Sequence, residues 1–127
     1  MARARVGGLV LGLVLAGCGQ GAAATPPPDR AHTVEELATT VGCTPDFQGK
    51  GSDFRQAACE TGTAKYIFFD FRTDARKRAW LDEALIYGGT YLVGDKWILT
   101  TQKDADLERL RGRLGGTIEG DPSIHHG

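Results

Sequence analysis

Apolar residues recur at helical spacing in three stretches of the chain, and the first stretch is the clearest. Its apolar residues stand at i, i+3, i+4 and i+7, namely Val34, Leu37, Ala38 and Val41. This spacing predicts one buried stripe of a short helix. Thr33 and Glu36 have the spacing of a capping box at its start, and Gly42 is expected to end it.

The second and third helices are predicted from the same kind of spacing. Thr73-Asp74 can cap a helix that runs to about Tyr87, directly before Gly88-Gly89. Its apolar side is expected to consist of Ala79, Trp80, Ala84, Leu85 and Tyr87. Asp104 is expected to cap the third helix, which Gly115-Gly116 ends. The buried stripe of that helix is expected to be Leu107, Leu110 and Leu114.

Two β-hairpins are predicted between these helices. The first joins residues 54–60 to residues 65–71 through Thr61-Gly62-Thr63. The second joins residues 90–93 to residues 97–101 through the Gly-containing turn Gly94-Asp95-Lys96. A short strand can follow the last helix at residues 117–119, whereas residues 44–53, rich in Pro, Gly and polar residues, are predicted to form a loop.

The strand at residues 65–71 is aromatic on both sides. Ile67, Phe69 and Phe71 share one face, and Tyr66 and Phe68 share the other. Tyr66 and Phe68 are either covered by packing or exposed to a partner, and a covered central strand is the favoured interpretation.

The order α-β-β-α-β-β-α, with hairpin links, predicts an α+β fold. We expect a two-layer domain over residues 33–120, in which an antiparallel sheet of about four strands carries helices mainly on one face. About 110 residues follow the N-terminal apolar segment, which fits one small domain.

The N-terminus carries the most specific motif of the chain. Arg3 and Arg5 precede an apolar run from Val6 to Ala16, and small residues stand directly before Cys18. This order is typical of a signal peptide. A permanent membrane-spanning helix needs roughly 20 apolar residues, and the run is much shorter and contains several glycines.

Leu15-Ala16-Gly17-Cys18 resembles the lipobox of bacterial lipoprotein precursors, and the chain resembles small actinobacterial lipoproteins. The resemblance implies that residues 1–17 are a signal peptide cut before Cys18. It also implies that the Cys18 thiol receives a diacylglyceryl group and that the new N-terminus can be acylated, for example with palmitate. Two acyl chains suffice for stable anchoring. The implied location is the extracytoplasmic face of the cell membrane.

Residues 18–32 then form a tether rich in Pro, Gly and Ala, and residues 121–127 are expected to form a disordered tail. Once Cys18 is assigned to lipid, Cys43 and Cys59 remain as a pair in an oxidising compartment. We expect them to form a disulfide bond, since their spacing does not fit a Cys-x-x-Cys metal or redox pair.

Charge argues against a nucleic-acid partner. The whole chain has 15 basic and 16 acidic residues, and loss of Arg3 and Arg5 lowers the formal charge from −1 to −3. The one basic cluster is Arg72, Arg76, Lys77 and Arg78. It can meet anionic headgroups or an acidic partner, although a solvated helix start is the favoured interpretation.

No catalytic, cofactor or metal motif is recognised in the sequence. Ser52 lacks the surroundings of a nucleophile elbow or a P-loop, and His32 lies in the predicted tether. His125 and His126 make an incomplete metal site, so no metal and no cofactor are predicted.

The leading functional hypothesis is a non-catalytic binding module at the cell envelope, with Tyr66, Phe68, Arg72 and Arg76 as candidate partner-binding residues. One alternative is a small envelope-modifying hydrolase with a site assembled from scattered residues such as Asp70, Arg72 and Tyr87. Another rests on residues 33–59, whose helix-Cys-loop-strand-Cys pattern resembles secreted β-lactamase-inhibitor-type modules and implies a disulfide-stapled inhibitor. The predicted helix at residues 74–87 departs from that pattern.

Overall fold

A computed structural model describes residues 25–120 of the 127-residue chain. Three helices and six strands follow in the order α1 (Val34–Val41), β1 (Asp46–Lys50), β2 (Phe54–Glu60), β3 (Lys65–Phe71), α2 (Asp74–Ile86), β4 (Thr90–Gly94), β5 (Trp97–Thr101), α3 (Asp104–Leu114) and β6 (Thr117–Gly120). None of these helices has the length and apolar character needed to cross a membrane. The predicted signal peptide, Cys18 and the tail with His125 and His126 lie outside the described residues.

The six strands form one antiparallel sheet in the order β1-β2-β3-β5-β4-β6. The predicted α+β class and both hairpins are confirmed, and so is the short strand after α3. The expected number of about four strands is too low. The segment expected to be a loop contains β1, which pairs with β2 across a bulge at Gln48.

The sheet is covered on both faces, which corrects the two-layer expectation. On one face, α1 and α3 pack against Ala57, Tyr66, Phe68, Leu92 and Leu99. On the other face, α2 packs against Phe69, Phe71, Val93 and Ile98. The physical reason is that β3 and β5, at the centre of the sheet, carry large apolar side chains on both sides, so each face needs a layer that excludes water.

The first predicted helix, α1, agrees with its sequence signals. The Thr33 hydroxyl accepts a hydrogen bond from the Glu36 backbone N–H, and the Glu36 carboxylate accepts one from the Thr33 N–H. Gly42 ends the helix in the left-handed conformation, with φ of 91°. Val34, Leu37 and Ala38 are buried as predicted, and Val41 packs against the same core.

The predicted apolar side of α2 is partly wrong. The buried residues are Lys77 and Leu81, whereas Ala79 and Tyr87 are exposed and Trp80 is half-buried. Lys77 occupies a core-facing position because its ammonium group reaches the Gly94 carbonyl (2.6 Å) and the Asp74 carboxylate (2.9 Å). The Thr73 cap is confirmed: its hydroxyl accepts a hydrogen bond from the Arg76 N–H.

The cap of α3 differs from the prediction. Lys103 occupies the N-cap position and its side chain makes no capping hydrogen bond, while Asp104 is the first helical residue. Asp104 and Asp106 in the first turn still favour the helix through its dipole. The buried stripe of Leu107, Leu110 and Leu114 and the ending at Gly115 are confirmed.

The predicted disulfide bond joins Cys43 to Cys59. It links the residue after the end of α1 to β2, and the two Cα atoms are 6.0 Å apart. Since Cys59 is buried beside Tyr66 in the core, the bond fastens the α1–β1 connection to β2.

Residues 27–32, which composition assigns to the tether, pack against the domain and are here named the strap. The Asp29 carboxylate accepts a hydrogen bond from the Asp95 N–H (2.9 Å) in the β4–β5 turn, and the Arg30 carbonyl accepts one from the Trp97 indole (2.9 Å). The His32 ring stands edge-on to the Trp97 ring, with centroids 5.5 Å apart. The packed domain therefore begins before residue 33.

Gly115 shows how closely the strap approaches α3. Its φ of 81° is in the left-handed region, and a Cβ atom there would lie 2.7 Å from the Pro27 carbonyl oxygen. Glycine is thus required both by the backbone conformation and by the strap.

Candidate functional site

The four predicted partner-binding residues do not form one surface. Tyr66 and Phe68 are 4% and 0% exposed and lie beneath α1 and α3. The sequence left open whether these two side chains are covered by packing or exposed to a partner, and in the structure they are covered. Their side chains fill the core and cannot meet a partner in the folded protein.

Arg72 and Arg76 are exposed at the junction between β3 and α2. The Arg72 Nε donates a hydrogen bond to the Ser52 carbonyl (2.8 Å), and the Arg76 guanidinium lies 3.3 Å from the Asp53 carboxylate. Both arginines therefore hold the β1–β2 loop at the end of the sheet where the strap also docks.

An open cavity of about 260 Å³ lies at this end of the domain. It is bounded by the β1–β2 loop, the start of β2 and the end of β3, with lining residues Gly51, Ser52, Asp53, Phe54, Arg55, Asp70, Phe71 and Arg72. Of the charged side chains on its wall, Arg55 pairs with Asp70, whereas Asp53 pairs with Arg76 outside the wall and Arg72 donates to the Ser52 carbonyl.

Arg55 and Asp70 form the centre of an ion-pair cluster. The Arg55 guanidinium donates to both oxygens of Asp70 and to both oxygens of Glu35. Asp70 also accepts a hydrogen bond from the Val34 N–H (2.8 Å) at the start of α1. The cluster thus ties the first turn of α1 to β2 and β3.

Ion pairing shifts the pKa values of Arg55 and Glu35. The hydrogen bonds that Arg55 donates to Asp70, and then those that it donates to Glu35, raise the pKa of Arg55, and its bonds to Glu35 lower the pKa of Glu35. A carboxylate and a guanidinium that stabilise each other's charged forms are suited to holding elements together. They are less suited to proton transfer near neutral pH.

The scattered residues of the hydrolase hypothesis are not all brought together. Asp70 and Arg72 line the same cavity. Tyr87 directly follows the 13-residue α2, whereas Arg72 precedes it, and a helix of that length spans about 20 Å. Tyr87 therefore lies at the opposite end of the domain.

The remaining candidates for chemistry are not assembled either. Ser52 lies in the exposed β1–β2 loop, and His32 is packed against Trp97. Among residues 25–120, no group of three or more His, Cys, Asp or Glu side chains is placed to hold a metal ion.

A second surface lies at the far end of α2. Ile86 and Tyr87 are 78% and 82% exposed, unlike the other large apolar side chains of the described part of the chain. A groove of about 310 Å³ lies on the same face of the sheet, lined by Lys65, Ile67, Thr100, Thr101 and Gln102. The Thr100 hydroxyl donates to the Thr90 carbonyl, which places the groove beside the α2–β4 link.

We name the exposed pair Ile86 and Tyr87 the distal patch. Sequence reasoning missed it because Tyr87 was expected on the buried side of α2 and Ile86 was not singled out. One signal was available: Ile86 lies outside the buried stripe that Lys77, Leu81 and Leu85 define at i, i+4 and i+8.

Comparison of the chain with protein-family models, with curated proteins and with solved structures finds no match.

Proposed function

We propose that the protein is a lipid-anchored, non-catalytic binding module that engages a protein partner at the extracytoplasmic face of the cell membrane. The adjacent exposed side chains of Ile86 and Tyr87 carry the binding part of the proposal. Solvent-exposed apolar side chains that stand next to each other are typical of protein-interaction sites.

The lipobox-like sequence supports the anchoring part of the proposal. Leu15-Ala16-Gly17-Cys18 stands at the end of a short apolar run that begins close to Met1. A diacylglyceryl group on Cys18 supplies two chains, and each buried CH₂ contributes about 0.8 kcal/mol to membrane binding. The disulfide bond fits an oxidising compartment outside the cytoplasm.

Intact-mass measurement of the protein extracted from membranes tests the anchor. We expect a chain that begins at Cys18 and carries a diacylglyceryl group. We also expect the mass to rise by one pair of hydrogens on reduction, because the Cys43–Cys59 bond opens. A full-length chain without lipid would refute the anchoring part of the proposal.

Crosslinking in intact cells tests the binding part. We expect the anchored protein to give one reproducible crosslinked partner, and we expect a Cys18→Ala chain, released or mislocalised, to lose it. If the anchored protein gives no crosslinked partner from any face of the domain, the binding part of the proposal is wrong.

A further inference from the structure

The strap determines the point at which the chain enters the domain. Without the strap, the chain would enter at Thr33, where α1 begins. The docked strap moves that point to Pro27, which lies against Gly115 at the end of α3. The Asp29 carboxylate holds the strap to the Asp95 N–H (2.9 Å) in the β4–β5 turn. The entering chain is therefore fixed to one end of the sheet.

Three further segments lie at the same end as the strap. The Lys96 N–H in the β4–β5 turn donates to the Asp74 carboxylate (2.9 Å) at the start of α2, and the Lys96 carbonyl accepts from the Phe71 N–H (2.8 Å). The Arg72 Nε donates to the Ser52 carbonyl (2.8 Å) in the β1–β2 loop. We name the strap, this turn, this loop and residues 72–76 the entry surface.

The chain between the proposed lipid anchor and the entry surface is short. Nine residue steps separate Cys18 from Pro27, and a fully extended chain covers at most about 3.6 Å per residue. The point of entry is therefore never more than about 32 Å from Cys18. From the entry surface, the 13 residues of α2 extend about 20 Å to Ile86 and Tyr87.

The entry surface is polar and carries charges of both signs in equal number. Its exposed basic side chains are Arg30, Arg72, Arg76 and Lys96, and its exposed or half-buried acidic side chains are Asp29, Asp53, Asp74 and Asp95. The large apolar side chains that are exposed within residues 25–120 belong to the distal patch. Entry into the acyl region of a membrane needs exposed apolar side chains, and attraction to anionic lipid needs an excess of basic ones. The entry surface has neither, which suits contact with the headgroup layer alone.

We propose that the entry surface lies against the headgroup layer of the membrane that holds the anchor. The docked strap and the short chain before it keep the surface there, without help from net charge. Ile86 and Tyr87 then point away from the lipid, toward proteins of the envelope. This inference rests on the proposed lipid anchor at Cys18, and it adds the orientation of the domain to the proposed function.

Photocrosslinking of the lipid-anchored protein in phosphatidylcholine vesicles tests the inference. A photoreactive amino acid replaces Lys96 of the entry surface in one variant and Tyr87 of the distal patch in another. We expect position 96 to give several-fold more lipid adducts than position 87, as measured by mass spectrometry. Addition of phosphatidylglycerol to the vesicles should leave this ratio unchanged, because the entry surface has no net charge to attract an anionic lipid.

A linker of about 20 Gly and Ser residues between Ala24 and Thr25 tests the role of chain length. We expect it to lower the lipid adducts at position 96 roughly fivefold, because the effective concentration of a tethered group falls with about the −3/2 power of tether length. The same linker directly after Gly120 is the matched control, since it leaves the chain between anchor and strap unchanged. It should leave the adducts at position 96 unchanged, and circular dichroism should show that both variants are folded.

Two results overturn the inference. One is a lipid-adduct yield at position 87 that equals or exceeds the yield at position 96. The other is a yield at position 96 that the linker before Thr25 leaves unchanged or that phosphatidylglycerol raises several-fold.

A third probe at Gln20, two residues after Cys18, separates failure of the inference from failure of the proposed anchor. Lipid adducts at position 20 together with equal yields at positions 96 and 87 overturn the orientation and leave the anchor standing. Absence of lipid adducts at position 20 contradicts both.

Discussion

Asp70 shows how one partly buried carboxylate connects three parts of this fold. Its side chain is 17% exposed, and it accepts hydrogen bonds from Arg55 on β2 and from the Val34 N–H at the start of α1. Charge-assisted hydrogen bonds of this kind are stronger than neutral ones. Asp70 therefore has a structural role, since it connects β3 to β2 and to the start of α1. It lines the cavity because these connections lie at that end of the sheet.

Replacing Asp70 by Asn is expected to destabilise the domain by about 1–3 kcal/mol, because Arg55 loses a charged partner and one acceptor becomes a donor. Urea unfolding at neutral pH measures this change. Asp53→Asn is the control, since the exposed Asp53–Arg76 pair should contribute less than about 1 kcal/mol. Equal effects of the two substitutions would argue against the structural role of Asp70.

The pair formed by Arg78 and Glu119 predicts a loss of stability in acid. Two hydrogen bonds of 2.9 Å from Arg78 lower the pKa of Glu119. A pKa that is lower in the folded state than in the unfolded state stabilises the fold above the unfolded value of about 4.3. This contribution is lost as the pH falls through the folded-state pKa.

The free energy of unfolding should therefore drop less in Glu119→Gln than in the natural protein between about pH 7 and about pH 3. The difference is expected to be roughly 0.5–1 kcal/mol, because Glu119 remains partly exposed to solvent. Glu108→Gln, in the more exposed pair with Arg111, serves as the control and should show the acid loss of the natural protein. An unchanged acid loss in Glu119→Gln would contradict the assignment.

At the scale of elements, β1 is a strand because of tertiary contacts and not because of its own sequence. Its sequence, Asp46 to Lys50, is polar and contains Gly49, and only Phe47 packs against the core. Pairing with β2 and the disulfide bond at Cys43 hold the segment at the sheet edge. A polar, bulged edge strand also discourages pairing with other chains.

Removal of the disulfide bond by Cys43→Ala with Cys59→Ala is expected to lower the free energy of unfolding by about 3 kcal/mol, the value for a closed loop of about 15 residues. Urea unfolding under non-reducing conditions measures it. Cys18→Ala is the matched control, because that cysteine lies outside the bonded pair, and it should leave the unfolding free energy unchanged. A double variant as stable as the natural chain would show that strand pairing alone holds β1.

At the scale of the whole molecule, the strap joins the predicted anchor to the folded domain. Residues 27–32 cover Trp97, which is completely buried, and complete the surroundings of Gly115. The domain therefore has a defined end that faces the entering chain, and the distal patch lies at the other end.

The strap predicts different stabilities for two shortened chains, one starting at Thr25 and one at Thr33. The shorter chain loses the hydrogen bond from the Trp97 indole to Arg30 and the packing of His32. We expect it to be at least about 2 kcal/mol less stable, because a buried donor loses its partner. Urea unfolding and a red shift of tryptophan emission measure the effect. Equal stability of the two chains would show that the strap does not belong to the fold.

Much of the local structure could be predicted from the sequence, because its signals involve neighbouring residues. The Thr33–Glu36 capping box, the left-handed Gly42 and the turn between β4 and β5 all stand where short-range patterns indicate. The disulfide bond was predictable from the number of cysteines and from the expected extracytoplasmic location. The predicted partner-binding residues agree less well with the structure. Arg72 and Arg76 are exposed, as a binding site requires, but Tyr66 and Phe68 are buried.

The sequence by itself determined the α+β class, the three helices, both hairpins and the cysteine pairing, and it supplies the motif on which the anchoring proposal rests. Only the tertiary structure decided the sheet order, the pairing of β1, the placement of α2 on its own face and the docking of the strap. These features depend on contacts between residues far apart in the chain, and no local period encodes them. The exposure of Ile86 and Tyr87 belongs to the same group, since it follows from how α2 is rotated on the sheet.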